Sequence, residues 1–547
     1  MKPPEHVNAT QEQLDELLTL AKPVFPAAQY ELLQGVLATF VYVMLALQNA
    51  KTSLARFRKM LFGGKTESKR NVLGQGAATG DKPAEVDEAN AEAGTAPVVE
   101  ESEAKKEGAG KKKGHGRNGA AKYTDSPVIE VAVAGLKSGD LCPECQIGKV
   151  YDAPPKTVVK VVGQPPLMAT VYKLEQLRCR LCDAMFSASL PEGTSPAKYD
   201  PSCASLLALL RYGSGLPFYR IEGLQESLNT PLPDATQWDI IAQAAPAPRA
   251  VFGELTHQAG QGDLLYCDDT RMKVLSLINE RSKLEADGLE PEAKAINTSG
   301  IVAVLAEGQH VALYFTGHQY AGQNLSDILA KRNPALGLPI QMSDALASNH
   351  AGEFSTIIGK CLAHGRRQVV DVREHFPKEC HYLINILAKP YANDAHCRQE
   401  KMSPEQRLLY HQAHSAEPLQ ELKDWIKAQF AAHLVEPNGS LGKALNYLLK
   451  HWDGLTLFLR QAGAPLDNNI CEQALKRAIL HRKNSMFYKT LKGAEVGDIY
   501  MSLIHTCQFC RVNPFAYLQA LHSHAQEVLA QPALWLPWNY REQLTAA

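Results

Sequence analysis

The chain has 547 residues, of which 45% are hydrophobic and 21% are charged, a composition typical of globular proteins. This length exceeds one ordinary core, so we expect three or more structural units. The net charge is −1, so the overall charge does not by itself indicate a nucleic-acid-binding protein. Because the sequence has neither a bilayer-length apolar run nor an apolar signal core, we expect a cytoplasmic protein without a membrane partner.

The N-terminal segment, residues 1–64, has apolar residues at helical spacing. They form a wide stripe between Leu32 and Leu47, which needs a partner helix to cover it. An intramolecular hairpin and a self-associating coiled coil both remain open. Residues 65–124 are rich in Gly, Ala, Glu and Lys and have almost no aromatic residues, which predicts a disordered linker.

Residues 125–198 contain two Cys-x-x-Cys pairs, Cys142 with Cys145 and Cys179 with Cys182. The chain has 12 cysteines but no signal peptide, which favours thiols or metal ligands over disulfides. Four thiolates in two such pairs are the ligands of a tetrahedral zinc site. The sequence therefore predicts a zinc-ribbon-like module.

The next segment, residues 199–248, predicts three short helices. The first ends near Gly213, the second runs from Phe218 to Leu228, and the third begins at Asp234. This outline fits a helix-turn-helix, but the pattern alone favours an ordinary helical spacer.

Residues 249–402 mix strand and helix patterns, which predicts an α+β core. "DLLYCDDTRMKVLSLIN" indicates two strands broken at the Asp pair, and "GIVAVLAEGQHVALYFTG" indicates two more. "AGQNLSDILAKRN" indicates a helix, and "LPIQMSDALASN" a strand that ends at Asp344. Residues 351–376 indicate helix, short strand and helix, and residues 403–463 are entirely helical in pattern.

Three acidic positions could form one metal site. Asp268 or Asp269 ends the first strand, Asp344 ends a later strand, and Glu472 lies in the first turn of a helix. Ligands gather at the carboxyl ends of strands in open sheets, and carboxylates suit Mg²⁺ or Mn²⁺. Two such ions can support phosphodiester transfer. Each acid alone has an ordinary structural explanation. For the three acids together, spacing alone leaves open whether they form a metal site or have structural roles.

The helix that contains Glu472 also contains a basic cluster. Its members, Lys476, Arg477, Arg482 and Lys483, are the residue types that contact DNA phosphates. We expect Asp467 or Asn468 to cap this helix. An acid that holds a metal, followed by cations that hold phosphates, explains why both charges occur on one helix.

These blocks resemble the insertion sequence 66 family of transposases, which belongs to the DDE class. "YCDDTRMKVL" is similar to its first-Asp block, with Asp268 on the catalytic Asp and Asp269 in place of Glu. "QMSDALASN" is similar to its second-Asp block at Asp344 but lacks the usual Gly-Tyr. "LDNNICEQALKR" closely matches the Asp-Asn-Asn-x-x-Glu-Arg block, with Glu472 in place and Gln473 for Arg.

Further blocks extend the resemblance over nearly the whole chain. "CLAHGRRQV" matches a Cys-Trp-x-His-x-Arg-Arg block, with Leu362 for Trp. Its other matching residues are Cys361, His364, Arg366 and Arg367. "LFGGKTESK" and "LPWNY" resemble the family's two ends.

The resemblance implies a multidomain protein with a ribonuclease-H-like core at 249–402 and 464–500, interrupted by an α-helical insertion at 403–463 and followed by a helical tail at 501–547. It implies Asp268, Asp344 and Glu472 as ligands of magnesium or manganese. The N-terminal helix, zinc module and helix-turn-helix would serve DNA binding and assembly. Expected partners are double-stranded DNA at element ends, target DNA, further copies of this chain and accessory proteins, in a prokaryotic cytoplasm.

Arg366 and Arg367 join the basic helix residues as predicted phosphate contacts. For Cys361 and His364 a structural role is favoured over a metal role, because two further ligands are missing nearby. The sequence leaves two rival functions open, a non-cutting DNA-binding relic that acts as repressor or assembly factor, and a nuclease that cuts without joining. A purely structural protein is disfavoured by the carboxylates and cysteine pairs.

Overall fold

The structure is a computed structural model that describes residues 11–39, 128–131, 133, 135–151, 158, 160, 164–178, 180, 185–289 and 295–546. The chain divides into two compact units, residues 79–166 and the remainder of the chain. The predicted linker 65–124 lies outside the described residues.

A mixed sheet of five strands organises the larger unit. Two short strands precede it in sequence and pair with each other, β1 (Gln176–Arg178) and β2 (Met185–Ser187). The sheet strands are β3 (Leu264–Arg271), β4 (Asn297–Val304), β5 (His310–Gly317), β6 (Ile340–Ser343) and β7 (Ile357–Lys360). Their order is β5-β4-β3-β6-β7. The first three are antiparallel, whereas β6 and β7 run parallel to β3.

Many helices surround this sheet, which confirms the predicted α+β class. In the described part of the chain they are α1 (Gln11–Ala21), α2 (Pro201–Ala208), α3 (Phe218–Ser227), α4 (Asp234–Ala244), α5 (Pro246–Gly260), α6 (Leu275–Ala286), α7 (Ala321–Leu329), α8 (Leu362–Val370), α9 (Pro377–Gln399), α10 (Pro404–His414), α11 (Ala416–Ala431), α12 (Ser440–Lys450), α13 (Trp452–Leu455), α14 (Asn469–Ser485), α15 (Leu491–Phe509), α16 (Pro514–Ser523), α17 (Ala525–Ala530) and α18 (Tyr540–Ala546). Residues 27–39 are also helical. None of the described helices is long and apolar enough to span a bilayer.

The first strand differs from its prediction. A single strand, β3, runs through the Asp pair without a break, and "LSLIN" forms the start of α6 rather than a second strand. The strand continues because both oxygens of Asp269 find hydrogen-bond donors inside the protein. Apolar residues at Val274, Leu277 and Ile278 follow helical spacing, which explains the helix.

Residues 351–376 also differ from the prediction. The expected first helix is replaced by a turn in which Gly352 has a φ of +58°, and the strand β7 follows it. Parallel pairing with β6 fixes residues 357–360 in extended form. The helix α8 then begins directly after the strand.

The helical segment predicted at 403–463 packs with helices that precede it in the chain. Helices α8, α9, α11 and α12 share one buried apolar cluster, which includes Leu362, Leu383 and Leu445. This cluster also contains Ile340 of β6, so the insertion packs directly on the sheet. A second cluster joins the sheet to α2–α5 and to α14–α17, and the predicted boundary at residue 500 falls inside α15.

Side chains of α15 close the open edge of the sheet. The edge strand β5 directs the N–H groups of Ala312, Tyr314 and Thr316 away from β4. These groups donate to Thr506 Oγ1 at 3.1 Å, Ser502 Oγ at 3.0 Å and Asp498 Oδ2 at 2.6 Å. The match follows from geometry, because four helical residues advance about 6 Å and two strand residues about 6.6 Å.

We predict that Thr506→Val, which keeps the side-chain shape, weakens this edge. The buried N–H of Ala312 loses its acceptor, so the edge should lose about 1–3 kcal/mol of stability. Hydrogen exchange should show a faster Ala312 amide. The exposed Thr545→Val serves as control, and unchanged exchange at Ala312 in Thr506→Val would contradict the role of α15.

Candidate active site

The two neighbouring aspartates on β3 occupy different environments because successive strand side chains point to opposite faces. Asp269 accepts hydrogen bonds from Ser299 Oγ at 2.6 Å and from the backbone N–H of Ala321 at 2.9 Å. Ala321 is the first residue of α7, so Asp269 ties the central strand to a helix N-terminus. The partly buried Asp268 lacks such an anchor, and its Oδ1 accepts only from the following backbone N–H at 2.8 Å within the described residues.

Asp344 follows β6, the parallel neighbour of β3. The parallel pairing places both carboxyl ends at the same edge of the sheet. Asp344 Oδ1 accepts from the backbone N–H of Leu346 at 3.0 Å and from Asn349 Nδ2. These bonds hold the loop after the strand.

Glu472 reaches the same edge from α14. This helix lies close to β4 at Gly300, where an added Cβ would stand 2.9 Å from Leu475. The thiol of Cys471 donates to the Gly300 carbonyl oxygen at 3.2 Å. Gly300 therefore permits the close approach that brings the first turn of α14 over the strands.

A buried asparagine fixes the start of that helix. Asn468 Nδ2 donates to the carbonyl oxygen of Cys267 at 3.1 Å, and its backbone N–H donates to Cys361 Sγ at 3.2 Å. Asn468 stands at the N-cap position but its side chain does not cap the helix. Of the two residues predicted as caps, Asp467 or Asn468, Asn468 does not cap, since its amide binds the strand instead. Asp467 accepts from the backbone N–H of Asn469 at 3.2 Å.

The predicted acids act on one another electrostatically. The pKa of Asp268 is raised from 3.8 to about 7, first by burial and then by the negative charges of Asp344, Glu472 and Asp269. Carboxylates that repel one another in a partly buried site favour a cation between them.

A second set of side chains surrounds Glu472. His364 Nδ1 lies 3.5 Å from Glu472 Oε1, and Arg367 NH2 lies 3.8 Å from Oε2. Both His364 Nδ1 and Glu472 Oε1 are buried without a hydrogen bond. Among the described residues, the one group of three ligating side chains with atoms within 4.8 Å of one another is Cys361, His364 and Glu472. Asp268 and Asp344 stand outside that group.

Comparison with known proteins assigns the family. The protein-family model described as "Transposase IS66 family" matches residues 197–496, which is more than half of the chain. The chain belongs to the IS66 transposase family. The matched residues include all three predicted acids and the whole helical insertion. Membership implies a transposase-related function and binding to DNA.

Three relatives of this IS66-family chain are uncharacterized proteins of Sinorhizobium fredii (strain NBRC 101917 / NGR234). Protein y4jD is 32% identical over 185 residues, which cover 33% of this chain and 35% of the relative. Protein y4hP is 22% identical over 429 residues, 74% of each chain. Protein y4qI is 22% identical over 432 residues, 76% of this chain and 74% of the relative. No solved structure matches the chain.

The six basic residues predicted to contact DNA fall into two groups. Lys476 and Lys483 are exposed on α14, and Arg366 and Arg367 are partly exposed on α8. Arg477 NH2 donates to Gln508 of α15. Arg482 NH1 donates to Thr270 Oγ1 at 3.2 Å and to the Arg271 carbonyl oxygen. Both of these arginines thus brace α14 against its neighbours.

The described half of the predicted zinc site has a local fold suited to a metal. The backbone N–H of Gly148 donates to Cys145 Sγ at 3.4 Å, and that of Cys142 donates to the Gly148 carbonyl oxygen at 2.7 Å. Backbone N–H groups of Gly148 and Ile147, followed by the Cys142 side chain, lower the pKa of Cys145. Such donors favour the thiolate, the form of cysteine that binds metal ions. Cys179 and Cys182 lie outside the described residues.

We predict that Asp268→Asn stabilises the metal-free protein at high pH. The folded-state pKa of Asp268 lies above the usual value, so ionisation favours unfolding and stability falls as pH rises from 3.8 through about 7. The amide removes this loss, which should raise the unfolding free energy at pH above 7 by about 1–3 kcal/mol. Denaturation with a chelator present, near pH 4 and above pH 7, measures it.

At the lower pH the two proteins should unfold alike, because the carboxyl group is then protonated. Asp424→Asn, at an exposed acid on α11, is the matched control and should change stability at neither pH. A loss of stability in Asp268→Asn above pH 7 would contradict the raised pKa.

We also predict that Asn468→Ala destabilises the fold by about 1–3 kcal/mol, because a buried carbonyl loses its donor. Asn469→Ala is the matched control, since Asn469 is exposed and binds only Asp467 through its side chain within the described residues. Equal stability losses in the two variants would show that the strand contact of Asn468 contributes nothing.

Proposed function

We propose that this chain is a DDE transposase that cuts and joins DNA at the ends of an insertion sequence. The observation that supports the proposal is that the negative charges of Asp344 and Glu472 raise the pKa of Asp268. These acids lie on strand β3, directly after strand β6 and on helix α14. Their mutual charge repulsion suits a site for divalent cations. The family membership supports the class of reaction.

Asp268, Asp344 and Glu472 would hold magnesium or manganese, because all three offer the hard oxygen ligands that these ions prefer. When bound, two such ions supply activation of the attacking hydroxyl and stabilisation of the leaving oxygen. Asp269 is less suited as a ligand, since both of its oxygens already accept hydrogen bonds. Cys142, Cys145, Cys179 and Cys182 would hold zinc.

The reaction we propose has two displacement steps. Water attacks a phosphodiester at the element end, so that a new P–O bond forms, the bond to the 3′ oxygen breaks and a 3′ hydroxyl is released. That hydroxyl then attacks a phosphodiester of the target, joining the strands and releasing a second 3′ hydroxyl. Each step forms one P–O bond and breaks another. Neither step needs an oxidant or a nucleotide.

We further propose that the five-stranded sheet and α14 form a ribonuclease-H-like core. An antiparallel meander joined to two parallel strands supports this, as does the helical insertion between Asp344 and Glu472. Helices α2 to α4 are proposed as the helix-turn-helix, and the zinc module and N-terminal helices as further DNA-binding and assembly parts. The chain would act as a homo-oligomer on element ends and target DNA, with accessory proteins of the same element.

For phosphate contacts we propose Arg366 and Arg367, which are partly exposed on α8, and Lys476 and Lys483, which are exposed on α14. Arg367 would then leave Glu472 for a DNA phosphate when a cation neutralises the carboxylate. Arg477 and Arg482 would contribute mainly by holding α14 in place.

We predict that the wild type nicks DNA carrying the element's end when magnesium or manganese is present, and that Glu472→Gln does not. The amide keeps the size of the side chain but removes the charge that binds a cation, so cutting should fall at least a hundredfold. Gln473→Glu is a matched control on the exposed side of the same turn and should cut normally. Gel analysis of end-labelled DNA measures cutting, and a mobility shift measures binding.

The outcomes separate the rival functions. Loss of metal-dependent cutting with intact DNA binding supports the catalytic role of Glu472. Equal binding without cutting by either protein, even with the element's accessory proteins added, would favour the repressor or assembly factor. Cutting without any joined product would favour the nuclease.

A further inference from the structure

A basic cluster stands next to Asp344 on the side of the helical insertion. Its members are Lys360 at the end of β7, Lys450 at the end of α12, and His451 directly after it. The Lys360 ammonium donates to His451 Nδ1 at 2.8 Å. The cluster thus joins the sheet to the insertion at the edge that contains the predicted metal ligands.

The surrounding structure fixes the direction of the Lys360 side chain. A Cβ on Gly454 would lie 2.7 Å from Lys360 Cγ, so the glycine makes room for the lysine stem against α13. The Tyr447 ring packs edge-on against the His451 ring, with centroids 4.8 Å apart. The ammonium is therefore held in place before any ligand arrives, which lowers the entropy lost on binding.

The cluster has no direct ion pair with an acid among the described residues. Within the described residues, none of Lys360, Lys450 and His451 makes an ion pair with a carboxylate. Burial, followed by the charge of Lys450, lowers the pKa of Lys360, and burial followed by the charge of Lys360 lowers that of His451. The negative charge of Asp344 opposes this lowering of the Lys360 pKa, so the Asp344 carboxylate lies near the Lys360 ammonium. His451 is the neutral acceptor of the Lys360 ammonium. Two lysine cations crowded around it favour an anion.

We propose that Lys360, Lys450 and His451 bind a backbone phosphate of the DNA strand beside the phosphodiester that reacts at Asp344. This inference rests on the proposed function for its choice of ligand. A DNA phosphate fits because the cluster is partly open to solvent and lies beside Asp344, which would hold a divalent cation in the proposed function. Its effect would be to position the strand, and its members would not touch the reacting bond.

The test measures DNA binding in a Glu472→Gln background, in which no cutting occurs. Lys360→Gln and Lys450→Gln are compared with Lys427→Gln, an exposed lysine on α11 outside the cluster. The probe is a labelled duplex carrying the element's end, titrated at several salt concentrations. Each cluster variant should reduce the slope of log K against log salt by about one, while Lys427→Gln leaves it unchanged.

A second measurement identifies the phosphate. Single phosphates of the probe are replaced in turn by neutral methylphosphonates. At one position near the cleavage site, the methylphosphonate should weaken DNA binding several-fold when the cluster is intact. The same methylphosphonate should not weaken DNA binding by the Lys360→Gln variant, which already lacks that contact. Unchanged salt slopes in both cluster variants, with native melting temperatures, would overturn the inference.

Failure of the proposed function gives a different result. If the wild type cuts no DNA but the cluster variants reduce the slope, the phosphate site stands and the catalytic proposal fails. If the wild type cuts while the slopes and the methylphosphonate pattern stay unchanged, the catalytic proposal stands and the phosphate site fails.

Discussion

The arrangement of the site depends on one buried side chain, Asn468. Its amide binds the carbonyl of Cys267, the residue before Asp268, and its backbone N–H binds the thiol sulfur of Cys361. The backbone N–H of Leu362 also donates a hydrogen bond to the carbonyl oxygen of Leu466 at 3.0 Å, which strengthens this junction. Three distant segments, the central strand, α8 and α14, therefore meet around a single residue, and the position of Glu472 relative to Asp268 follows from it.

The same junction explains the contacts that Glu472 makes with α8. Because α8 begins at this point, His364 and Arg367 of its first turns lie against the Glu472 carboxylate. The Arg367 guanidinium offsets part of the cost of a partly buried acid. A bound cation would compete with them, and α8 could then direct its arginine to DNA. The insertion contributes from the opposite side, where Lys360 and His451 meet beside Asp344.

The sequence predicted the α+β class, the helical insertion and the positions of β4, β5 and α7, because these segments have clear periodicity and turn residues. It failed at the Asp pair, since the pattern cannot reveal that Ser299 and Ala321 satisfy Asp269 inside the sheet. The role of Asn468 was missed because an Asp-Asn-Asn run before a helix normally indicates capping. Lys360 and His451 are 91 residues apart, and only the folded chain brings them together.

Mapping the metal by local cleavage of the polypeptide tests the central claim most directly. Ferrous ion takes the place of magnesium, and hydroxyl radicals made at the bound iron cut the backbone nearby. We expect fragments ending near Asp268, Asp344 and Glu472 together, all suppressed by excess magnesium and all lost in Asp268→Asn. Cuts confined to Cys361, His364 and Glu472, with none near Asp268 or Asp344, would contradict it.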